Sequence, residues 1–268
     1  MTASLAPVVT DDELQVLAAR LGVQSLPLVL NLRSRHPTES ARVEAAGRAT
    51  RTLAERGLLP GGEVPADLAT VVQSLQRPDR ELAMRLVTPD GAARVTVVRH
   101  GTRCVSACRV GDEITLDLID DGANLSSATS ALLRRLPASV PAEISPVGAP
   151  LAEIAQALSD THDPTELSDR IRALGADTRT AMMLGSALAA RLAFAEIVYY
   201  ALDADVDRVS RSAGAVGLFY TKRGRIVGAP SSSPSGQLWT TLKPGSDHTV
   251  KQAVGQLVEL SGYRWGDC

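Results

Sequence analysis

The chain has 268 residues, 44% apolar, 22% charged and only 3% aromatic, with a formal net charge of -2 at neutral pH. That is the composition of an ordinary globular protein of one large or two small domains, and it excludes the clustered basic excess that nucleic-acid binding requires. No apolar run reaches the roughly 18 residues needed to span a bilayer, and the N-terminus lacks a basic stretch followed by an apolar core, so a cytoplasmic location is expected.

Thr10 and Glu13 make a capping box, and Leu14, Leu17, Ala18 and Leu21 follow at helical spacing, which predicts a first helix over 11–22. Residues 26–33 read as a short strand. Pro37 then opens a long polar helix to about Arg56, stopped by Gly57, whose pairs Glu44 with Arg48 and Arg51 with Glu55 mark a solvated face. Another helix runs from Pro65 to before Pro78.

From Glu81 the period changes to two. Leu82, Met84 and Leu86, then Ala93, Val95 and Val97, then Val105 and Ala107, then Ile114, Leu116 and Leu118 alternate with polar positions, predicting four strands. The turns between them, Pro89-Asp90-Gly91, His100-Gly101 and Gly111-Asp112, are too short for crossover helices, so the strands pair as antiparallel hairpins. A helix carrying Leu125, Ala128, Leu132 and Leu133 closes this half. The prolines from Pro137 to Pro150 mark a connection. Helices resume at Leu151, at Asp163 with Pro164 in the first helical position, and over 178–191. Strands return at 194–201, 214–221, 225–230 and 237–242, followed by a helix over 246–260. The 203–212 stretch between the first two of these strands reads as an exposed linker.

Both halves thus share one order: helices, four strands, one helix. Gly91, Gly101 and Gly122 recur as Gly214, Gly224 and Gly245 at a constant offset, which suggests a duplicated unit. The expected fold is α+β, a central antiparallel sheet with two helical bundles and pseudo-two-fold halves at about 1–136 and 150–268, forming one domain over 1–268.

Reactive constellations are sparse. Cys104 and Cys108 fall in one predicted strand about 13 Å apart, beyond disulfide reach, and with Cys268 they make an odd set that suits a reducing compartment. Asp160, His162 and Asp163 form the most metal-like cluster, but Asp163 is already explained as a helix cap and no second cluster completes a ligand set. His36, His100 and His248 are expected in exposed turns or a first helical turn. No phosphate loop or nucleophile elbow is present, and the Ser-Pro-Gly stretch 228–236 reads as a hairpin loop. No catalytic residue, cofactor or metal site is therefore expected. Met182 and Met183 extend an apolar stretch that suits core packing or an adaptable protein-binding surface.

The segments Gln76-Arg77-Pro78-Asp79-Arg80, Val105-Ser106-Ala107 through Gly111-Asp112-Glu113-Ile114-Thr115, Ala195-Glu196-Ile197-Val198 and Gly224-Arg225-Ile226-Val227, continuing through Leu238-Trp239 to Pro244-Gly245, resemble in order and spacing the EspG proteins, cytosolic chaperones of mycobacterial type VII (ESX) secretion. The resemblance runs from about Asp11 to Trp265. It implies a non-enzymatic protein that binds a PE-PPE heterodimer by the tip of the PPE helical hairpin and keeps that apolar tip soluble until export. By the resemblance the contact regions are Gln24 after the first helix, the short loop at Thr88, Pro89 and Asp90, the second bundle with Met182 and Met183, and 203–212 with Arg208 and Arg211. Self-association stays open. The alternative reading is a small-molecule-binding or hydrolytic α+β domain.

Overall fold

The computed structural model describes residues 6–32, 35–120 and 124–266. Eleven strands and eight helices are formed among them. The first half comprises β1 (Val8–Thr10), α1 (Asp11–Arg20), α2 (Glu39–Glu55), α3 (Ala66–Ser74), β2 (Arg80–Thr88), β3 (Gly91–His100), β4 (Arg103–Val110), β5 (Glu113–Leu118) and α4 (Leu125–Leu133). The second comprises β6 (Val147–Pro150), α5 (Leu151–Ala157), α6 (Pro164–Ala173), α7 (Thr178–Ala189), β7 (Arg191–Asp203), β8 (Arg208–Arg211), β9 (Val216–Thr221), β10 (Gly224–Ser232), β11 (Leu238–Pro244) and α8 (Asp247–Glu259).

All strands join one antiparallel sheet in the order β1-β5-β4-β3-β2-β7-β9-β10-β11-β6, with β8 paired to the end of β7. Counted inward from either edge, the two halves run in the same sequence of pairings, and β2 and β7 meet at the centre. Alternation along each strand decides which side chains meet which layer. Leu82, Met84, Leu86, Val95, Val97, Ile197 and Tyr199 point to one face, where α4 and α8 cover them with Leu132, Val254 and Leu257. On the other face α1–α3 pack on β4 and β5 through Leu14, Leu17, Val72, Val105 and Ile114. On that same face α5–α7 pack on β6, β10 and β11 through Ile154, Leu167, Leu184, Ile226 and Leu242. Two bundles thus stand on the two ends of one face and leave its middle, the strands β2 and β7, without a helical cover.

Local signals account for the helix ends. Thr10 caps α1 with both arms of the box, its N–H donating to Glu13 Oε2 at 2.8 Å and its Oγ1 accepting from the Glu13 N–H at 3.3 Å. Asp163, Asp177 and Ser246 cap α6, α7 and α8 with the side-chain arm alone, accepting from the N–H groups of Glu166, Thr180 and Thr249. α6 and α7 lie close enough that a Cβ at Gly185 would sit 2.2 Å from Ser168 Oγ.

Four expectations change. Segment 26–33 is not a strand: Pro27 removes a donor, Leu28–Leu30 form a 3-10 turn, and Asn31 takes a left-handed conformation at φ 52°, so no ladder is possible. Arg33, the end of that expectation, lies outside the described residues, as do Gly122 and Cys268. The short strands β1 and β6 were hidden in the N-terminal stretch and the proline-rich connection, because three or four residues become a strand only through their partners, here β5 and β11. The stretch around Arg208 is strand β8, not a linker. His36 is half-buried with its Nε2 2.9 Å from Asp12 Oδ1, so it is not a free turn histidine.

Candidate partner-binding cleft

The uncovered middle of the sheet is the floor of a cleft of about 660 Å³. Because Leu82, Met84 and Leu86 point into the core, their alternates Glu81, Ala83 and Arg85 point into this cleft, opposite Tyr200, Val198 and Glu196 of β7. Arg94 of β3 completes the floor, in register with Arg85.

One wall is the chain between α1 and α2. Buried Arg109 reaches up from β4 and donates to the carbonyls of Leu30 and Asn31, each at 2.9 Å, to Gly111 O at 3.0 Å and to Asp11 Oδ2 at 2.7 Å. Arg94 Nη1 adds a bond to Val29 O at 3.3 Å. Held from below on both sides, the turn presents Leu28 as a 95% exposed residue. The opposite wall is the β7–β8 hairpin. Val209 and Arg211 pair with Leu202 and Tyr200 and therefore face the cleft, and Arg211 Nη2 lies 3.9 Å from Glu196 Oε1.

The far end is closed by Leu75, Arg77 and Pro78. This loop ties the two walls together: Gln76 Oε1 accepts from the Gln24 N–H at 3.3 Å, and Arg77 forms an ion pair with Asp207 in the turn of the β7–β8 hairpin. Arg77 and Asp207 both adopt left-handed backbone, at φ 49° and 52°.

The electrostatics are uneven. Arg109, Arg94 and Arg85 are consecutive cross-strand neighbours on the cleft side of the sheet, and Glu196 is the next residue in that row. Asp11 answers Arg109, and burial pushes its carboxyl above the usual carboxylate range even though the adjacent arginines pull the other way. Burial likewise raises Glu81, partly offset by the hydrogen bond that Thr96 Oγ1 donates to it at 2.8 Å.

The structure gathers some of the residues expected at a site and scatters others. Arg211 lines the cleft, whereas Gln24 lines a neighbouring depression with Gln15, Val23 and Asn31, its backbone N–H donating to Gln76 Oε1. Arg208 pairs with Asp203 in the ladder and points to the opposite face, near Tyr263, whose O–H donates to Asp203 Oδ2 at 2.7 Å. Thr88, Pro89 and Asp90 form the tip of the β2–β3 hairpin, where Thr88 Oγ1 donates to Gly91 O at 3.1 Å. Met182 is exposed in a separate depression with Pro164, Ser168 and Arg172, and Met183 lines a third with Ile144, Asp177 and Pro244. Asp163 is the α6 cap, and among the described residues no group of three His, Cys, Asp or Glu side chains is placed to hold a metal ion. Leu28, Arg85, Arg94 and Val209 were not expected at a site. The only available sign was that Glu81 and Arg85 occupy the outward phase of an amphipathic strand.

The cleft exposes apolar side chains and arginines on a broad, open floor, and its walls come from a long helix connection and a β-hairpin. These features define an α+β protein whose central sheet carries an open cleft between two walls. No helix of the described chain is long and apolar enough to cross a membrane.

The chain belongs to the EspG family, whose model matches residues 10–256. It is 28% identical over 256 residues to the ESX-1 secretion-associated protein EspG1 of Mycobacterium tuberculosis, covering 94% of this chain and 86% of that protein. It is 26% identical over 236 residues to the ESX-5 secretion-associated protein EspG5 of Mycobacterium marinum, with 78% of each covered. In fold it is similar to the solved Mycobacterium tuberculosis type VII secretion chaperone EspG5 in complex with a PE25-PPE41 dimer, with a TM-score of 0.78 at 22% identity, covering 96% of this chain and 97% of that one.

Proposed function

We propose that this protein is a cytoplasmic type VII secretion chaperone that holds a PE-PPE heterodimer one-to-one, covering the apolar tip of the PPE subunit until export. The observation that carries the reading is the open cleft over β2 and β7, on a fold shared with a chaperone solved together with such a dimer. An apolar tip left bare in water self-associates, and an equally apolar but rigid surface prevents this simply by occupying it. Stoichiometric cover needs no chemistry, so we read the protein as a non-enzyme.

The contact, in this reading, centres on the cleft and includes Gln24 and Arg211. Thr88, Pro89, Asp90, Met182, Met183 and Arg208 are outlying candidates that alanine substitution in the same binding assay would rank. We also read the chain as one domain of two repeated halves; the matching inward order of pairings from β1 and from β6 supports this. The first half then differs by its long connection between α1 and α2, and the second by the extra strand β8, and these two additions form the cleft walls.

The test is co-purification with PE-PPE pairs encoded in the same genome, followed by size-exclusion chromatography with mass determination. A complex containing one copy of each chain is expected. Failure of every such pair to bind at low salt, where charge-assisted contacts are strongest, overturns the reading.

A further inference from the structure

We propose that the cleft is built for a partner element carrying a carboxylate beside an apolar side chain, with the carboxylate set against Arg85 and the apolar group between Leu28 and Val209. This rests on the chaperone reading and adds the chemistry of what is recognised.

Three observations converge. First, Arg85 extends a row of three cross-strand arginines, and like charges directly opposite one another in a sheet are destabilising. Arg109 is answered by Asp11, and Arg94 bonds to the wall at Val29, but Arg85 has no hydrogen-bond or ion-pair partner among the described residues. Second, the cleft's own carboxylates are engaged elsewhere: Glu81 accepts from Thr96, and Glu196 faces Arg211. A carboxylate arriving from outside therefore meets a guanidinium that makes no hydrogen bond or ion pair among the described residues, although Glu196 stands in register beside it, and its planar fork suits bidentate contact. Third, Leu28 stands almost wholly in water on a turn that Arg109 and Arg94 hold rigid, opposite Val209, which is also exposed. A preorganised apolar side chain loses little conformational freedom when the partner arrives, and arginine is among the residues enriched at interface hot spots.

The experiment measures binding of the wild-type chain and of Arg85→Glu, Arg85→Ala and Leu28→Asp to a PE-PPE pair by titration calorimetry at low and high salt. Val43→Asp, on the exposed face of α2, serves as the neutral surface control. Arg85→Glu and Leu28→Asp are expected to weaken binding at least about tenfold. Arg85→Ala should flatten the salt dependence. All three variants should melt within about 2 °C of wild type, since Arg85 and Leu28 have no supporting partners to lose. Replacing the partner's facing carboxylate residue by Arg should restore binding to Arg85→Glu.

If the wild type binds a pair and both Arg85→Glu and Leu28→Asp keep affinity within about twofold, this inference falls while the chaperone reading stands. If no pair binds the wild type, the chaperone reading itself falls. A chain that dimerises alone and becomes monomeric on Leu28→Asp would show that the cleft takes a second copy, which also overturns the inference.

Discussion

Arg109 is the residue through which folding and the cleft are most directly coupled, and Arg109→Ala tests that coupling. Its side chain is only 8% exposed, and it holds the Asp11 side chain, itself 11% exposed, together with three backbone carbonyls. Truncation leaves a buried carboxylate whose Oδ1 already has no partner among the described residues, with only exposed Arg35 nearby at 3.7 Å. Breaking one side of a buried pair in this way costs about 3–5 kcal/mol, which for a chain of this length corresponds to a fall in melting temperature of roughly 5–9 °C. Replacing both partners by apolar groups, as in Asp11→Leu with Arg109→Met, should recover most of that loss, because the desolvation of two charges disappears with them.

The pH dependence supplies a second, independent reading of the same pair. Burial raises Asp11 against the pull of Arg109, and removing Arg109 raises it further. A carboxyl whose folded pKa lies above its unfolded value contributes stability that is fully present below the unfolded value and lost as pH rises through the folded one. The deficit of Arg109→Ala is therefore greatest near neutral pH and narrows as pH falls toward about 4. Chemical denaturation of the wild type and the single and double variants across this range measures both effects. A single variant within about 1 kcal/mol of wild type at neutral pH, or a deficit that widens on acidification, would refute the argument. Should Arg109→Ala fold, its turn at Leu28–Leu30 has lost two of the bonds that hold it, and proteolysis in this segment should accelerate.

Glu81→Gln should leave the melting temperature unchanged or raise it at pH 8, since burial holds Glu81 above its ordinary pKa and the amide oxygen still accepts from Thr96; the advantage should vanish near pH 4, and a stability loss at pH 8 would contradict it. Gly185→Ala forces a Cβ to within 2.7 Å of the Ser168 backbone nitrogen and 2.8 Å of Pro164 O, so α6 and α7 must separate, at a cost of about 1–3 kcal/mol measurable by urea titration. Trp265→Ala removes a ring that is 2% exposed and packed on Tyr199 with centroids 6.3 Å apart, and a loss of about 3–5 kcal/mol is expected; retention of full stability would mean that the C-terminal segment does not fasten the core.

How far the sequence reached is clearest at particular residues. Alternation at Leu82, Met84 and Leu86 specified a strand with a buried face, and hairpin turns at Pro89-Asp90-Gly91 and Gly111-Asp112 specified antiparallel neighbours, because both signals are local. The helix caps at Thr10 and Asp163 were legible for the same reason. The family resemblance added the expected sheet with two bundles. The run Leu-Pro-Leu-Val-Leu ending at Leu30 carries a local pattern that a strand and a turn share, and only the reach of Arg109 across 79 residues of sequence holds it as an exposed turn. β1, β6 and β8 have three or four residues each, too few for their own pattern to outweigh chain entropy; β1 and β6 exist through ladders with distant partners, and β8 through its hairpin with β7. The cleft belongs to this second kind of information. Glu81, Arg85, Arg94, Glu196, Val209 and Leu28 come from five segments, and their meeting depends on strand order and on two bundles leaving the centre of one face bare. Local chemistry determined which faces of this chain are apolar; the long-range pairing of its halves decided which of those faces stayed open to a partner.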